Sequence, residues 1–427
     1  MRCRIGVVAD DLTGASDAGV QFRKAGLAST VLIQREAAVE ALVRADVVVI
    51  DTNSRHLEPN DAYREAKQAA SLFSRHGIAR VYKKVDSTLR GNIGAEIDGV
   101  MDAVGAELCV LAPAFPANGR TTLNGRQFVG GVPIEEAEAG EDILSPARLS
   151  HIPSIVARQS ARKVMSICLA EIRKGQHVLA ARLPGLVSNG NRIIVMDAED
   201  QDDLRRIAEA LELSGLSYVA AGSAGFAAEF SRAVCTDSRP FETWATRSRG
   251  GILLVVGSAT RTSAEQVSVA AQEPSVGSVQ IEMGFGMPGP ACDPDVDRAV
   301  RAVLAELEDG HDVIVSMARP GMPVGGPEDS VFVRDRLARI ARAAVLSNLV
   351  YGVVLTGGDT AVAVLEALGA IGLDVCQEVL PGIPLGFMVG GEASGMPVVT
   401  KAGGFGDADA LAVTIRRLRL EHARCQR

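Results

Sequence analysis

Short apolar runs of strand length recur along the chain, and most end in Gly, Asp or Ser just before a stretch with helical spacing. In the first half they fall at 5–9, 47–50, 81–84, 109–112, 193–196 and 218–221; in the second half at 253–256, 313–316, 353–356 and 397–401. Helical patterns lie between them, for example at 62–75, 204–213, 296–308 and 360–368. The runs are continuously apolar rather than alternating, as strands are when both faces of a sheet are covered. Strands alternating with helices predict an α/β fold of two domains, each a mostly parallel sheet flanked by helices.

The best boundary is the polar stretch TDSRPFETWATRSRGG at 236–251, which carries a proline and the only tryptophan and has neither periodicity. It predicts a first domain at 1–235, a linker or hinge at 236–250 and a second domain at 251–427, with ligand sites in the cleft between the domains. Residues 114–160 are rich in Gly, Pro and polar side chains and are expected to form an ordered loop or extension over a site.

Composition narrows the function. A chain of 427 residues is long for one core, and 47% hydrophobic residues with 44 Gly and 4% aromatics suit an α/β enzyme with many tight strand-to-helix turns. A net charge of −8 gives no footprint for nucleic acid or an anionic membrane surface. No apolar run approaches a membrane span. The first residues lead straight into a strand-like run without a secretory apolar core, so a cytoplasmic location is expected. The seven cysteines are scattered without a CxxC pair, which predicts reduced, inert thiols and no structural metal.

In parallel sheets, ligands gather at the carboxyl ends of strands, so the residues after each run are the candidates. Asp10 and Asp11 follow the first run and could accept hydrogen bonds from a polyol or hold Mg2+. After the next comes DTNSRH at 51–56, where Arg55 could grip a carboxylate bidentately. Lys83, Lys84, Val85, Asp86, Ser87 and Arg90 come after Val81 and Tyr82 in and beyond the third run, a concentration suited to an anionic, hydroxylated ligand. In the second half, Gly357 and Gly358 lead into Asp359 and Thr360 at a helix start, where exposed amides and the helix dipole favour phosphate. This is neither GxxxxGK[ST] nor GxGxxG. Gly403 and Gly404 in KAGGFG, and Ser258 after Gly257, repeat the strand-to-turn arrangement. Of six histidines only His56 lies in a candidate site, so a histidine-based triad is not expected. GSAG at 222–225 reads as a plain strand-to-helix turn.

With these residues assembled, the chain resembles the four-carbon acid sugar kinase family. The motifs are VADDLTGASDAG at 8–19, DTNSRH at 51–56, YKKVDSTLRGNIG at 82–94, APAFPANGRTT at 112–122, LTGGDTA at 355–361 and KAGGFG at 401–406. The resemblance implies a sugar-acid-binding first domain, an ATP-binding second domain, and phosphorylation of the terminal (C4) hydroxyl of D-threonate, D-erythronate or 3-oxo-tetronate, with D-threonate favoured. Carried over by motif, Asp11, Arg55 and the segment 83–86 would contact the substrate. Ser258, the 357–360 turn and Gly403 would contact ATP. ATP and Mg2+ are the expected cofactors.

Phosphoryl transfer needs positioning and charge neutralisation more than covalent help. Arg55 and Lys84 are expected to hold the sugar acid, and the amides of Gly357 and Gly358 the transferring phosphate. Asp359 and Asp86 are both candidates for the catalytic base, and closure about the linker would exclude water. Metal ligands and homo-oligomerisation stay open. The competing classes are a dehydrogenase, for which no dinucleotide fingerprint is present, and a non-enzymatic sugar-acid binding protein.

Overall fold

The first unit opens with β1 (Ile5–Ala9), whose five residues are all buried, followed by α1 (Leu12–Lys24). Then come β2 (Ser29–Leu32), α2 (Ala38–Arg44), β3 (Val47–Asp51), α3 (Pro59–Arg75), β4 (Arg80–Lys84), α4 (Ile93–Val104) and β5 (Leu108–Ala112). These coordinates are a computed structural model that describes residues 4–137, 147–235, 250–281, 293–317 and 327–425. A small antiparallel sheet follows, of β6 (Arg120–Leu123), β7 (Arg126–Val129) and β8 (Val132–Pro133), together with α5 (Ile152–Gln159). The unit closes through β9 (Lys163–Ile167), α6 (Leu169–Ile172), α7 (Gln176–Ser188), β10 (Asn191–Met196), α8 (Gln201–Leu213), β11 (Tyr218–Gly222) and α9 (Ala224–Val234).

Its main strands run in the order β2-β3-β1-β4-β11-β5-β10-β9, every neighbouring pair parallel. From β1 the chain fills one side of the sheet, and from β4 it fills the other. The order therefore reverses between β1 and β4, and the crevice beyond their carboxyl ends is where such sheets bind ligands. Val8, Val48, Phe73, Ile97, Leu111 and Ile193 belong to the core that fixes this arrangement.

The second unit contains β12 (Gly251–Val256), α10 (Arg261–Ala270), β13 (Val276–Ile281), α11 (Pro294–Glu308), β14 (Asp312–Met317), α12 (Pro327–Leu346), β15 (Val350–Thr356) and α13 (Gly358–Ala367). It ends with β16 (Gly372–Leu380), β17 (Ile383–Val389), β18 (Pro397–Lys401) and α14 (Ala410–Cys425). The order β13-β14-β12-β15-β18-β17-β16 is parallel from β13 to β18, whereas β17 runs antiparallel to both its neighbours. Here the reversal falls between β12 and β15. Leu254, Ile314, Val354, Val399 and Leu411 form the core beneath it.

The chain divides into two compact units, Met1–Phe241 and Glu242–Arg427. Of the expected linker 236–250, only Gly250 lies among the described residues. No helix of the described residues is long and apolar enough to cross a membrane. Cys109 and Cys376 are buried free thiols and Cys168 an exposed one. The expectation of reduced thiols throughout is corrected at Cys235, which is disulfide-bonded. Such a bond needs only that folding bring two thiols within reach, which spacing along the chain does not report.

Candidate functional site

At the carboxyl end of β1 the chain turns through Asp10 and Asp11 into α1. Asp11 is the N-cap, accepting from the Gly14 amide at 3.0 Å and from Thr13 Oγ1 at 2.5 Å. Arg55 reaches the same two acids from the segment after β3. Its Nε donates to Asp10 Oδ2 at 2.8 Å, and Nη1 and Nη2 donate to the two Asp11 oxygens at 2.9 and 2.7 Å. All three side chains are buried. The guanidinium that the sequence suggested for a substrate carboxylate is thus turned onto the protein's own acids. The outcome is an asymmetric pair. Asp11 has both oxygens occupied, whereas Asp10 Oδ1 is buried without a hydrogen-bond partner. Burial works against the Asp10 charge, but Arg55, Lys83 and Lys84 outweigh it and hold the carboxyl below its ordinary range.

Lys83 and Lys84 are adjacent in β4 and therefore leave the strand on opposite faces. Lys83 pairs with Glu96 of α4 at 2.8 Å, both fully buried, and Glu96 also accepts from Ser54 Oγ at 2.6 Å. Lys84 goes to the start of α1, where its Nζ lies 2.9 Å from where a Cβ on Gly14 would stand. A side chain at 14 would crowd both that ammonium and Asp11 Oδ1, which would lie 2.5 Å from its Cβ. Lys84 Nζ also donates to Val85 O at 2.8 Å.

Beyond β4, Asp86 takes Arg90 Nε at 2.7 Å, Arg90 Nη2 at 3.2 Å and Thr88 Oγ1 at 2.5 Å. Burial opposes its charge, yet Arg90 and Arg55 hold the carboxyl well below the usual range. The reverse occurs at Asp51. Burial pushes it well up, the Asn53 amide opposes this, and the Asp11 and Asp10 charges add to the rise. Two distant side chains fix these loops. Asn92 donates to Ser54 O and Leu57 O at 3.2 and 2.8 Å, and Gln127 of β7 donates to Ser87 O at 2.8 Å. Within the 114–160 stretch, β6, β7 and β8 form the small sheet from which Gln127 grips the Ser87 backbone, and residues 138–146 lie outside the described residues.

In the second unit three turns meet. A Cβ on Gly257 would stand 1.9 Å from Thr360 Oγ1, and one on Gly403 would stand 2.1 Å from Ser258 Oγ. The Gly357 amide donates to Lys401 O at 2.9 Å. Gly357, the N-cap of α13, has a φ of 100°, which favours glycine. Asp359 sits in the first turn of α13 with Thr360 beside it. The structure thus brings Ser258, 357–360 and Gly403 together, as their motifs suggested.

Sequence reasoning passed over several residues. Lys401 stands inside a quoted motif, which was a usable signal. Glu96, Gln127 and Gln266 carry none, because each lies on an element far in sequence from the loop it holds.

Residues 5–230 match the family model described as a sugar-binding N-terminal domain, and residues 253–411 that of a nucleotide-binding C-terminal domain. The chain is 36% identical over 426 residues to a D-threonate kinase of Bordetella bronchiseptica, covering 97% of each. The chain belongs to the four-carbon acid sugar kinase family. A D-erythronate kinase of Heliobacterium modesticaldum is 32% identical over 427 residues, with 96% of this chain and 95% of that protein covered. A solved Salmonella typhimurium protein shares the fold with a TM-score of 0.78 at 22% identity, covering 97% and 99% of the two chains. As a member of the kinase family, the protein is a phosphotransferase with an alcohol group as acceptor.

Proposed function

We propose that this kinase phosphorylates the C4 hydroxyl of D-threonate with ATP and Mg2+. The observation that carries the reading is Asp10 Oδ1, a buried acceptor without a partner beside the cations Arg55, Lys83 and Lys84. An ionised oxygen of that kind suits a polyol hydroxyl, and Lys84, whose ammonium donates to the Val85 carbonyl, suits a ligand bearing a carboxylate. Lys84 is the cation assigned to the sugar acid, while Arg55 holds Asp10 and Asp11 in place. Val85, Asp86, Ser87 and Arg90 complete the substrate side. Ser258, Gly357, Gly358, Thr360, Gly403 and Gly404 are assigned to the nucleotide, whose phosphates suit the small, amide-rich turns around Ser258.

In the reaction the C4 oxygen attacks the γ-phosphorus, the bond to the bridging oxygen of ADP breaks, and the hydroxyl proton passes to a carboxylate. Asp86 is a weak base, because Arg90 and Thr88 stabilise its charge. We assign the proton to Asp359. The described residues contain no cluster of three or more His, Cys, Asp or Glu side chains suited to a metal ion, so Mg2+ fits best as a companion of the nucleotide's own phosphate oxygens. When bound, it would neutralise charge on those oxygens.

D-threonate is favoured by the higher identity to the relative that bears its name. D-erythronate and 3-oxo-tetronate offer the same carboxylate and terminal hydroxyl. The test is ADP release from ATP and Mg2+ against a panel of C4 to C6 aldonic acids and their 3-oxo forms. Highest kcat/KM with D-threonate supports the assignment, and a higher value with another C4 acid replaces it. No turnover with any C4 acid from folded protein overturns the activity.

A further inference from the structure

The glycine-rich loop after β18 has its carbonyl oxygens gathered on one side. Lys401, the last residue of β18, is fully buried, and its Nζ donates to Ala402 O at 2.8 Å, Gly403 O at 2.9 Å and Phe405 O at 3.0 Å. Three contacts match the three protons of an ammonium. Gln266 of α10 adds its Nε2 at 3.0 Å from Phe405 O, 3.0 Å from Gly406 O and 2.9 Å from Asp407 O. Ser263 Oγ donates to Gly403 O at 3.1 Å.

A trans peptide points its C=O and the following N–H in opposite directions. Drawing in the carbonyls of Ala402, Gly403 and Phe405 therefore turns the amides of Gly403, Gly404 and Gly406 away from Lys401 and Gln266. The one carbonyl of this stretch that is not gathered, that of Gly404, confirms the geometry from the other side. The next amide, Phe405 N, is the one that turns inward, donating to Ala402 O at 3.1 Å. Among the described residues the amides of Gly403, Gly404 and Gly406 donate to nothing. Glycine at these positions leaves them uncovered, and Gly403 lies against Ser258.

We propose that Lys401 and Gln266 are positioning residues that set this loop as a phosphate cradle, holding its carbonyls inward so that three glycine amides face the nucleotide's phosphates. Lys401 is thereby distinct from a lysine that reaches out to phosphate, since its protons are committed to backbone oxygens. Its buried charge also reinforces the polarity of the loop from beneath. The inference rests on the nucleotide-binding reading of this unit.

The experiment uses the full chain and ADP with Mg2+ as the probe, titrated by calorimetry into wild type, Lys401→Met and Gln266→Met. Each variant keeps a side chain of similar length and removes the donor. Both are expected to weaken ADP by about tenfold or more, the loss of roughly one or two hydrogen bonds. KM for ATP should rise alongside while KM for the sugar acid stays unchanged. In wild type carrying isotope-labelled glycine, the amide resonances of Gly403, Gly404 and Gly406 should shift on adding ADP. Wild type that fails to bind ADP overturns the nucleotide reading itself. Wild type that binds ADP, with a folded variant binding equally well or the three amides unmoved, overturns this inference alone. If Lys401→Met does not fold, Gln266→Met decides.

Discussion

The Lys83 ammonium stands 2.8 Å from the Glu96 carboxylate, with both side chains sealed from solvent. Removing one partner strands the other as a buried charge, at a cost of about 3–5 kcal/mol. Lys83→Met alone should therefore lower the denaturant midpoint sharply, and Lys83→Met with Glu96→Leu should recover most of the loss. Equilibrium unfolding checks this. A single variant of unchanged stability with a raised KM for the sugar acid would instead make Lys83 a substrate contact, as its motif suggests.

Arg55→Lys keeps the charge and loses the fork that spans Asp10 and Asp11. Charged hydrogen bonds of this kind contribute about 1.5–3 kcal/mol. KM for the sugar acid should rise by roughly tenfold to a hundredfold, with KM for ATP little changed. Steady-state kinetics with each substrate varied in turn distinguishes this from a general loss of folding, which would move both.

The two candidate bases separate by the kinetic parameter they affect. Asp359→Asn should lower kcat by roughly 10²–10⁴-fold while leaving sugar-acid binding intact. Asp86→Asn removes the anchor of Arg90 and Thr88 and should act chiefly on KM. The opposite split would move the base to Asp86.

Stability should depend on pH through two acids of opposite sign. Asp86 is held well below its ordinary range against the effect of burial, by Arg90 and Arg55. Its contribution is present above the unfolded carboxylate value and disappears as pH falls through the lower folded value. Asp51 is pushed well up by burial and by Asp11 and Asp10. Folding then favours its protonated form, so stability declines as pH rises from the ordinary carboxylate value toward the raised one. Asp51→Asn imitates the neutral form and should raise the melting temperature at the alkaline end of a pH series, with little change at the acid end. Thermal unfolding across that series tests the sign directly.

Much of the architecture was legible along the chain because continuously apolar strands ending in Gly or Asp are local signals. The runs at 5–9 and 397–401 coincide with β1 and β18, and the helical pattern at 62–75 lies within α3. The hairpin of β16 and β17 was not legible. Its residues mix Asp, Gln and Glu with apolar positions, and its pairing is antiparallel where the neighbouring signals imply parallel strands. The small sheet of β6 to β8 was seen only as an ordered extension, since its strands are short and polar.

For the candidate site, the sequence determined which loops hold the candidate residues: acids after β1, cations and an acid at the end of β4 and beyond it, and glycine turns after β12, β15 and β18. Those are properties of short segments, set by backbone conformation and residue type. The tertiary structure decided what each side chain faces. It sent the neighbours Lys83 and Lys84 to opposite faces of one strand, turned Arg55 onto Asp10 and Asp11, and placed Lys401 beneath its own loop. A side chain's partner comes from whichever distant element the packing brings within about 3 Å, and only the register of strands and helices in three dimensions sets that distance.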